Sequence, residues 1–215
     1  MPARFAPYQT LADFLLSAFD ANGTDGSHDL SHIIRVWRNA VRIAETEPRT
    51  DLELIAAAVI LHDCVAVEKS SPLRSQASRL SAEKAREIVA ALGWPAARVD
   101  ALAHAIATHS FSAGLTPETM EAKIVQDADR LDAIGAIGIA RCFHIGGRMG
   151  GGLYHPDDPA AERRALDDRT YALDHFPAKL FKLADGFHTA EGQRMANVRT
   201  ELMRDYVTAF LGEVV

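Results

Sequence analysis

The sequence predicts an all-α fold, and three observations predict it. Apolar residues recur at steps of three and four along most of the chain. No stretch of useful length alternates Val, Ile or Thr with polar residues as a half-buried strand would. Short breaks rich in Pro, Gly, Ser and Asn then cut the periodic stretches into helix-sized pieces.

The elements follow in order. From Tyr8 to Asp20, Leu11, Phe14, Leu15, Ala18 and Phe19 form one apolar stripe, which Asn22-Gly23 ends. From Asp29 to Glu45, Ile33, Trp37, Ala40, Val41 and Ala44 repeat the spacing, and Pro48 stops it. The Asp51 to Val67 segment carries only Asp51, Glu53, His62 and Asp63 as charged or titratable residues, so it reads as a helix buried on most sides. A polar loop from Glu68 to Ala77 contains Pro72; Ser81-x-x-Lys84 then opens a helix to Leu92, closed by Gly93-Trp94-Pro95. Further helices are expected at Ala97 to Thr108, Glu118 to Phe143, Ala178 to Glu191 and Met195 to Phe210.

Between Gly146 and Asp168 the run GGRMGGGLYHPDDPA packs five glycines and two prolines together and excludes regular structure. It reads as a long mobile loop. Loops longer than ~12–15 residues in a compact domain are often functional, so a lid over a site and a disordered excursion both stay open.

Composition narrows the function. The chain has 215 residues, 48% hydrophobic and 24% charged, enough for one core; a single all-helical domain over residues 1–215 is expected. With 23 Lys+Arg against 29 Asp+Glu the net charge is -6, so no global positive field recruits polymeric nucleic acid or an anionic membrane. A phosphate-bearing partner must be held by local cations. Cys64 and Cys142 follow no metal-binding or disulfide spacing, which suits a reducing compartment. The opening MPARFAPYQT shows no basic stretch followed by an apolar run, and no later stretch approaches membrane length, so a cytoplasmic location is expected.

The nine histidines are the notable excess. Helical steps put His32 on a stripe with Val36, Ala40 and Ile43, and His62 with Ile55, Val59 and Ala66. Asp63 follows about 100° further round the same helix, and Asp129 shares a face with Val125, Ala136, Ile139 and Phe143. An ionised carboxylate isolated in an apolar interior costs several kcal/mol, so two carboxylates with two imidazoles need a shared cation or a dense hydrogen-bond network. Taken singly, each histidine also fits a core residue bonded to a backbone carbonyl.

The ordered set His32, His62-Asp63 and Asp129 resembles the signature of the HD-domain superfamily of metal-dependent phosphohydrolases. The blocks HDLSHIIRVWRNA, AAVILHDCVAVEK, SRLSAEKA, IATHSFS and IVQDADRLDAIGAIGIAR resemble a small bacterial branch with nucleotide pyrophosphohydrolase-like members. The likeness covers Ser27 to Arg141, with an HD core over residues 27–141, and continues weakly through DHFPAKL. It implies an HD-type helical bundle, with the glycine-rich loop and C-terminal helices packed on it. It also implies that His32, His62, Asp63 and Asp129 ligate one divalent ion, with metal-activated water attacking a phosphoester or phosphoanhydride. The substrate expected is a small phosphorylated molecule of the nucleotide class.

Asp127 and Asp129 project about 200° apart on a helix and cannot serve one site equally. Periodicity does not choose between them. The family pattern does, because its last Asp precedes a basic residue, as Asp129 precedes Arg130. Asp127 is then a partner of the ligands or a solvated residue. Superfamily nucleotidases carry a Glu three positions after the HD aspartate, where this chain has Ala66; Glu68 is near enough in sequence to substitute as the base, and a solvated loop residue is the reading its position favours. Lys69, Arg74 and Lys179 are the candidate phosphate donors, and His109 a polar lining residue that touches substrate or a backbone carbonyl.

The mixed nitrogen and oxygen donor set favours manganese, iron, cobalt, nickel or zinc over magnesium. Two rivals stay open. One is a two-metal site using His104 or His109, serving phosphodiester cleavage or di-iron oxygen chemistry. The other is a metal-stabilised module that binds a nucleotide without turnover. A homodimer is equally open.

Overall fold

The computed structural model describes residues 3–17, 30–67, 74–110 and 113–214. Its α-helices are α1 (Gln9–Ser17), α2 (Leu30–Ala44), α3 (Leu52–Leu61), α4 (Ala77–Ala91), α5 (Ala96–Thr108), α6 (Met120–Leu131), α7 (Gly135–Arg148), α8 (His175–Ala178) and α9 (Ala190–Val214). Among the described residues extended pairing is limited to one isolated bridge, Gly152 with Tyr171, so the all-α expectation holds. No helix among them is long and apolar enough to cross a membrane. The chain forms two compact units, Met1–Asp129 and Arg130–Val215.

In the first unit α3 is the axis, packed by α1, α2, α4 and α5. Every residue from Leu54 to Leu61 is buried, as the near-absence of charge in this segment predicts. Each of its fully buried large aliphatic side chains contributes roughly 1.5–3 kcal/mol. Its start is fixed by Asp51, whose carboxylate accepts the Leu54 N–H at 2.9 Å as an N-cap. Arg98 of α5 clamps that carboxylate with two bonds, at 2.7 and 2.8 Å, and reaches Glu53 at 2.7 Å. The guanidinium also lies over the Trp94 ring, 3.9 Å from its centroid. On the other side Phe5 stacks on Trp37 of α2, with centroids 6.0 Å apart.

Three boundaries depart from the periodicity. The helix expected to reach Val67 stops at Leu61, with His62 as its C-cap. The chain beyond is taken over by α4: Val65 N–H donates to the Ser81 hydroxyl at 3.2 Å, and Lys84 Nζ donates to the Cys64 carbonyl at 3.3 Å. Ala66 is consequently exposed rather than on the His62 stripe. α4 itself begins at Ala77, not Ser81, and Ser81 is a fully buried mid-helix residue.

The single helix expected from Glu118 to Phe143 is two. Ala133 and Ile134 N–H close i−3 turns on Arg130 and Leu131, and Gly135 restarts the chain at φ +75°, a left-handed conformation glycine adopts without strain. Ala136 is exposed, so the apolar period that runs through the break is a coincidence of spacing.

In the second unit α7 packs on α9. A Cβ on Gly135 would lie 3.0 Å from Arg199 Cγ, and one on Gly138 would collide with the Ala133 carbonyl, so small residues set this approach. The helix expected from Ala178 to Glu191 is absent. Four-residue α8, a 3-10 turn at Leu180–Ala184 and Gly186 at φ +82° stand there instead. The glycine-rich stretch is neither a free lid nor irregular from its start, since Gly146 and Gly147 finish α7. The rest is bonded within its own unit. The buried Asp158 carboxylate accepts the Glu162 and Arg163 N–H groups at 3.1 and 2.9 Å, and Arg164 makes a two-bond pair with buried Asp174 at 2.5 and 2.8 Å.

Candidate metal centre

Four helices of the first unit deliver the site. His32 lies in the first turn of α2, where the apolar stripe that buries Ile33, Val36 and Trp37 takes its ring inward to 1% exposure. His62 caps α3, also 1% exposed, and its Nδ1 bonds the Val59 carbonyl at 2.7 Å. His109 caps α5 in the same way, with Nδ1 on the Ile106 carbonyl at 2.7 Å. A carbonyl accepts only, so Nδ1 carries the proton in both rings and each Nε2 presents a lone pair. Asp129 comes from the last turn of α6.

The lone-pair atoms converge. His32 Nε2 and His62 Nε2 are 3.2 Å apart, and Asp129 Oδ1 is 3.4 Å from the first and 3.8 Å from the second. Asp63 bridges to the other side, with Oδ2 3.5 Å from His62 Nε2 and Oδ1 3.6 Å from His109 Nε2. Two metal-competent sets result, His32-His62-Asp129 and His62-Asp63-His109, each with donor atoms within 4.8 Å of one another. Both draw on His62 Nε2. One imidazole lone pair binds one ion, so the two sets share a donor and the His62 ring serves a single ion.

The electrostatics suit a cation. Burial pushes His62 down to about 4, against the pull of Asp63 and Asp129, so its ring is neutral near pH 7. Burial opposes ionisation of Asp129, but the His32 hydrogen bond and the surrounding imidazoles outweigh it and hold the carboxyl well below the usual carboxylate range. Neutral imidazole nitrogen and ionised carboxylate are the protonation states a metal requires. This donor chemistry fits a divalent ion.

Other sequence candidates fall elsewhere. Asp127 is fully buried, two residues before Asp129, which excludes the solvated alternative; its carboxylate is in neither metal-competent set. Glu68 and Lys69 lie outside the described residues, and Arg74 opens a 3-10 turn leading into α4. Lys179 is exposed in the second unit, directly after α8. His104 is turned to the chain before α6, its Nε2 accepting the Glu118 N–H at 3.0 Å.

His109 was read from sequence as a lining residue and meets Asp63 directly. The signal available was its place just past the end of a helix, where an imidazole can bond back to the last turn. Lys84 figures in the sequence only as part of a helix start, yet this half-buried residue donates its ammonium to the carbonyl of Cys64, the residue after Asp63.

Comparison with known proteins agrees with this geometry. The HD domain family model matches residues 29–134. The protein YpgQ of Bacillus subtilis (strain 168) is 34% identical over 184 residues, covering 84% of this chain and 81% of that protein. A crystal structure of Bacillus subtilis YpgQ in complex with ADP superposes with a TM-score of 0.72 at 31% identity, covering 99% of this chain and 97% of that one. An HD-superfamily hydrolase from Bacillus thuringiensis gives 0.73 at 30% identity, over 95% and 97% of the two chains. Sequence match, fold and convergent donors together show that this chain belongs to the HD-domain superfamily of metal-dependent hydrolases.

Proposed function

We propose that the protein hydrolyses a phosphoester or phosphoanhydride bond of a nucleotide with the help of one divalent ion. The observation that carries this reading is the convergence of the His32 and His62 Nε2 atoms, 3.2 Å apart, with Asp63 and Asp129 beside them. The ADP held by the YpgQ structure supports the nucleotide class.

His32, His62, Asp63 and Asp129 would hold the ion, with His109 against the second oxygen of Asp63. A divalent ion bound there supplies Lewis-acid polarisation of a phosphoryl oxygen and a lowered pKa for attached water. The chain's own part is preorganisation. The Val59 and Ile106 carbonyls fix two rings in one tautomer, burial keeps His62 neutral, and the ionised carboxylates offset the added positive charge. Imidazole in the donor set favours manganese, iron, cobalt, nickel or zinc over magnesium. Lys84, beside the His62-Asp63 turn, joins Lys69 and Arg74 as a candidate phosphate donor.

The His62-Asp63-His109 set is the feature that favours a two-metal alternative, and metal stoichiometry separates the two: one equivalent supports the reading above and two the alternative. The decisive assay is release of phosphate or pyrophosphate from a panel of nucleotides with manganese present. Wild type should turn over at least one of them and Asp63→Ala none. Nucleotide binding without turnover in wild type would leave a binding module instead.

A further inference from the structure

Two buried side-chain amides join the elements that carry the centre, and the chemistry above uses neither. Asn39 stands two helical turns after His32 on α2 and is 6% exposed. Its Nδ2 donates to the Ala128 carbonyl at 3.0 Å, the peptide unit that leads into Asp129. Gln126 on α6 is 2% exposed, and its Nε2 donates to the Thr108 carbonyl at 2.6 Å, the peptide unit that leads into His109.

The acceptors explain why amides stand there. Ala128 lies in the last turn of α6 and Thr108 is the final residue of α5, so both carbonyls belong to the set that a helix C-terminus leaves without an intrahelical partner. Buried, such a carbonyl needs a donor from elsewhere. Each amide supplies it from a neighbouring helix, and so ties one helix end to the next. Asn39 sets Asp129 against the helix of His32, and Gln126 sets His109 against the helix of Asp129. A three-helix register is fixed by two hydrogen bonds.

We propose that Asn39 and Gln126 are positioning residues that set the affinity of the centre for its ion. The inference rests on the metal-dependent reading given above. Supporting groups of this kind typically change metal affinity by about 10–100-fold when removed.

The test is titration of the metal-free full-length protein with manganese(II), plus the visible spectrum of the cobalt(II)-loaded protein. Asn39→Leu and Gln126→Met keep volume and remove the donors; each should weaken manganese binding by about ten-fold or more and alter the cobalt bands. Val89→Ala, a cavity in fully buried α4 core, is the control: it should lower stability and leave both readouts unchanged. If Asn39→Leu does not fold, Asn39→Ser, whose hydroxyl falls short of the Ala128 carbonyl, takes its place with the same expectation. Variants that bind manganese as wild type does, with unchanged cobalt bands, overturn the inference alone. A wild-type protein that binds no divalent ion overturns it together with the proposed function.

Discussion

His32 Nε2 and His62 Nε2 lie 3.2 Å apart, across 30 positions of sequence. The His62 ring has its proton on Nδ1, bound to the Val59 carbonyl, so its side of this contact is a lone pair. Either His32 donates to it or both rings turn their lone pairs to a common cation. The flanking carboxylates of Asp63 and Asp129 favour the cation.

Ligand removal follows directly. His62→Ala and Asp129→Asn should each strip the divalent ion, and elemental analysis of purified protein checks it. Asp127→Asn should retain most of the metal, because that carboxylate lies outside both donor sets. The reverse pattern, metal lost with Asp127→Asn and kept with Asp129→Asn, would assign the ligand wrongly.

Metal binding should also stabilise the fold. An ion at 100 times its Kd adds about 2.7 kcal/mol when it binds only the folded chain. A chelator should therefore lower the Tm and manganese restore it, whereas His32→Ala should show the chelated Tm under both conditions. Equal melting with and without manganese in wild type would contradict the site.

In the chelated protein stability should fall as pH drops below His62's ordinary value of 6.5 towards about 4. The sign follows from linkage: the folded ring resists a proton that the unfolded ring accepts, so across this window the unfolded chain binds more protons and stability rises with pH. Urea midpoints at several pH values measure it. His62→Asn should flatten the slope, and an unchanged slope would place the titration on another group.

Asp51→Ala should cost about 0.5–2 kcal/mol, as loss of an N-cap does. Arg98 would lose its two-bond partner as well, and keep Glu53. Glu53→Ala, which removes only a partly exposed ion pair, should cost about 0–1 kcal/mol. Equal urea midpoints for the two variants would mean the cap adds nothing.

Asp174→Ala should open the glycine-rich segment to protease. Its buried carboxylate binds the Arg164 guanidinium and accepts the Asp167 N–H at 2.7 Å. Limited proteolysis should then cut residues 149–171 faster than in wild type. An identical digestion pattern would show that the segment is held by other bonds.

Much of this was legible in the sequence because it follows from periodicity. Burial of His32, His62 and the Leu54–Leu61 run is a direct consequence of apolar spacing. What stayed hidden depends on partners distant in the chain. The end of α3 at Leu61 is decided by Ser81 and Lys84, and the break before Gly135 by turns that apolar spacing does not register. His109 looked peripheral because its alignment with Asp63 requires two helix ends, 46 residues apart in numbering, to meet. The glycine-rich run looked mobile because composition records missing helix propensity and cannot record the carboxylates of Asp158 and Asp174 that tie it down.

His62 and His109 both reach back three residues to a carbonyl of their own helix, at Val59 and Ile106. The last turn of each helix is thereby the mould that aims its ring. Unravelling either terminus by a few residues would free the imidazole to spin and to exchange tautomers, so capture of an ion and slowing of amide hydrogen exchange at those two ends are one event.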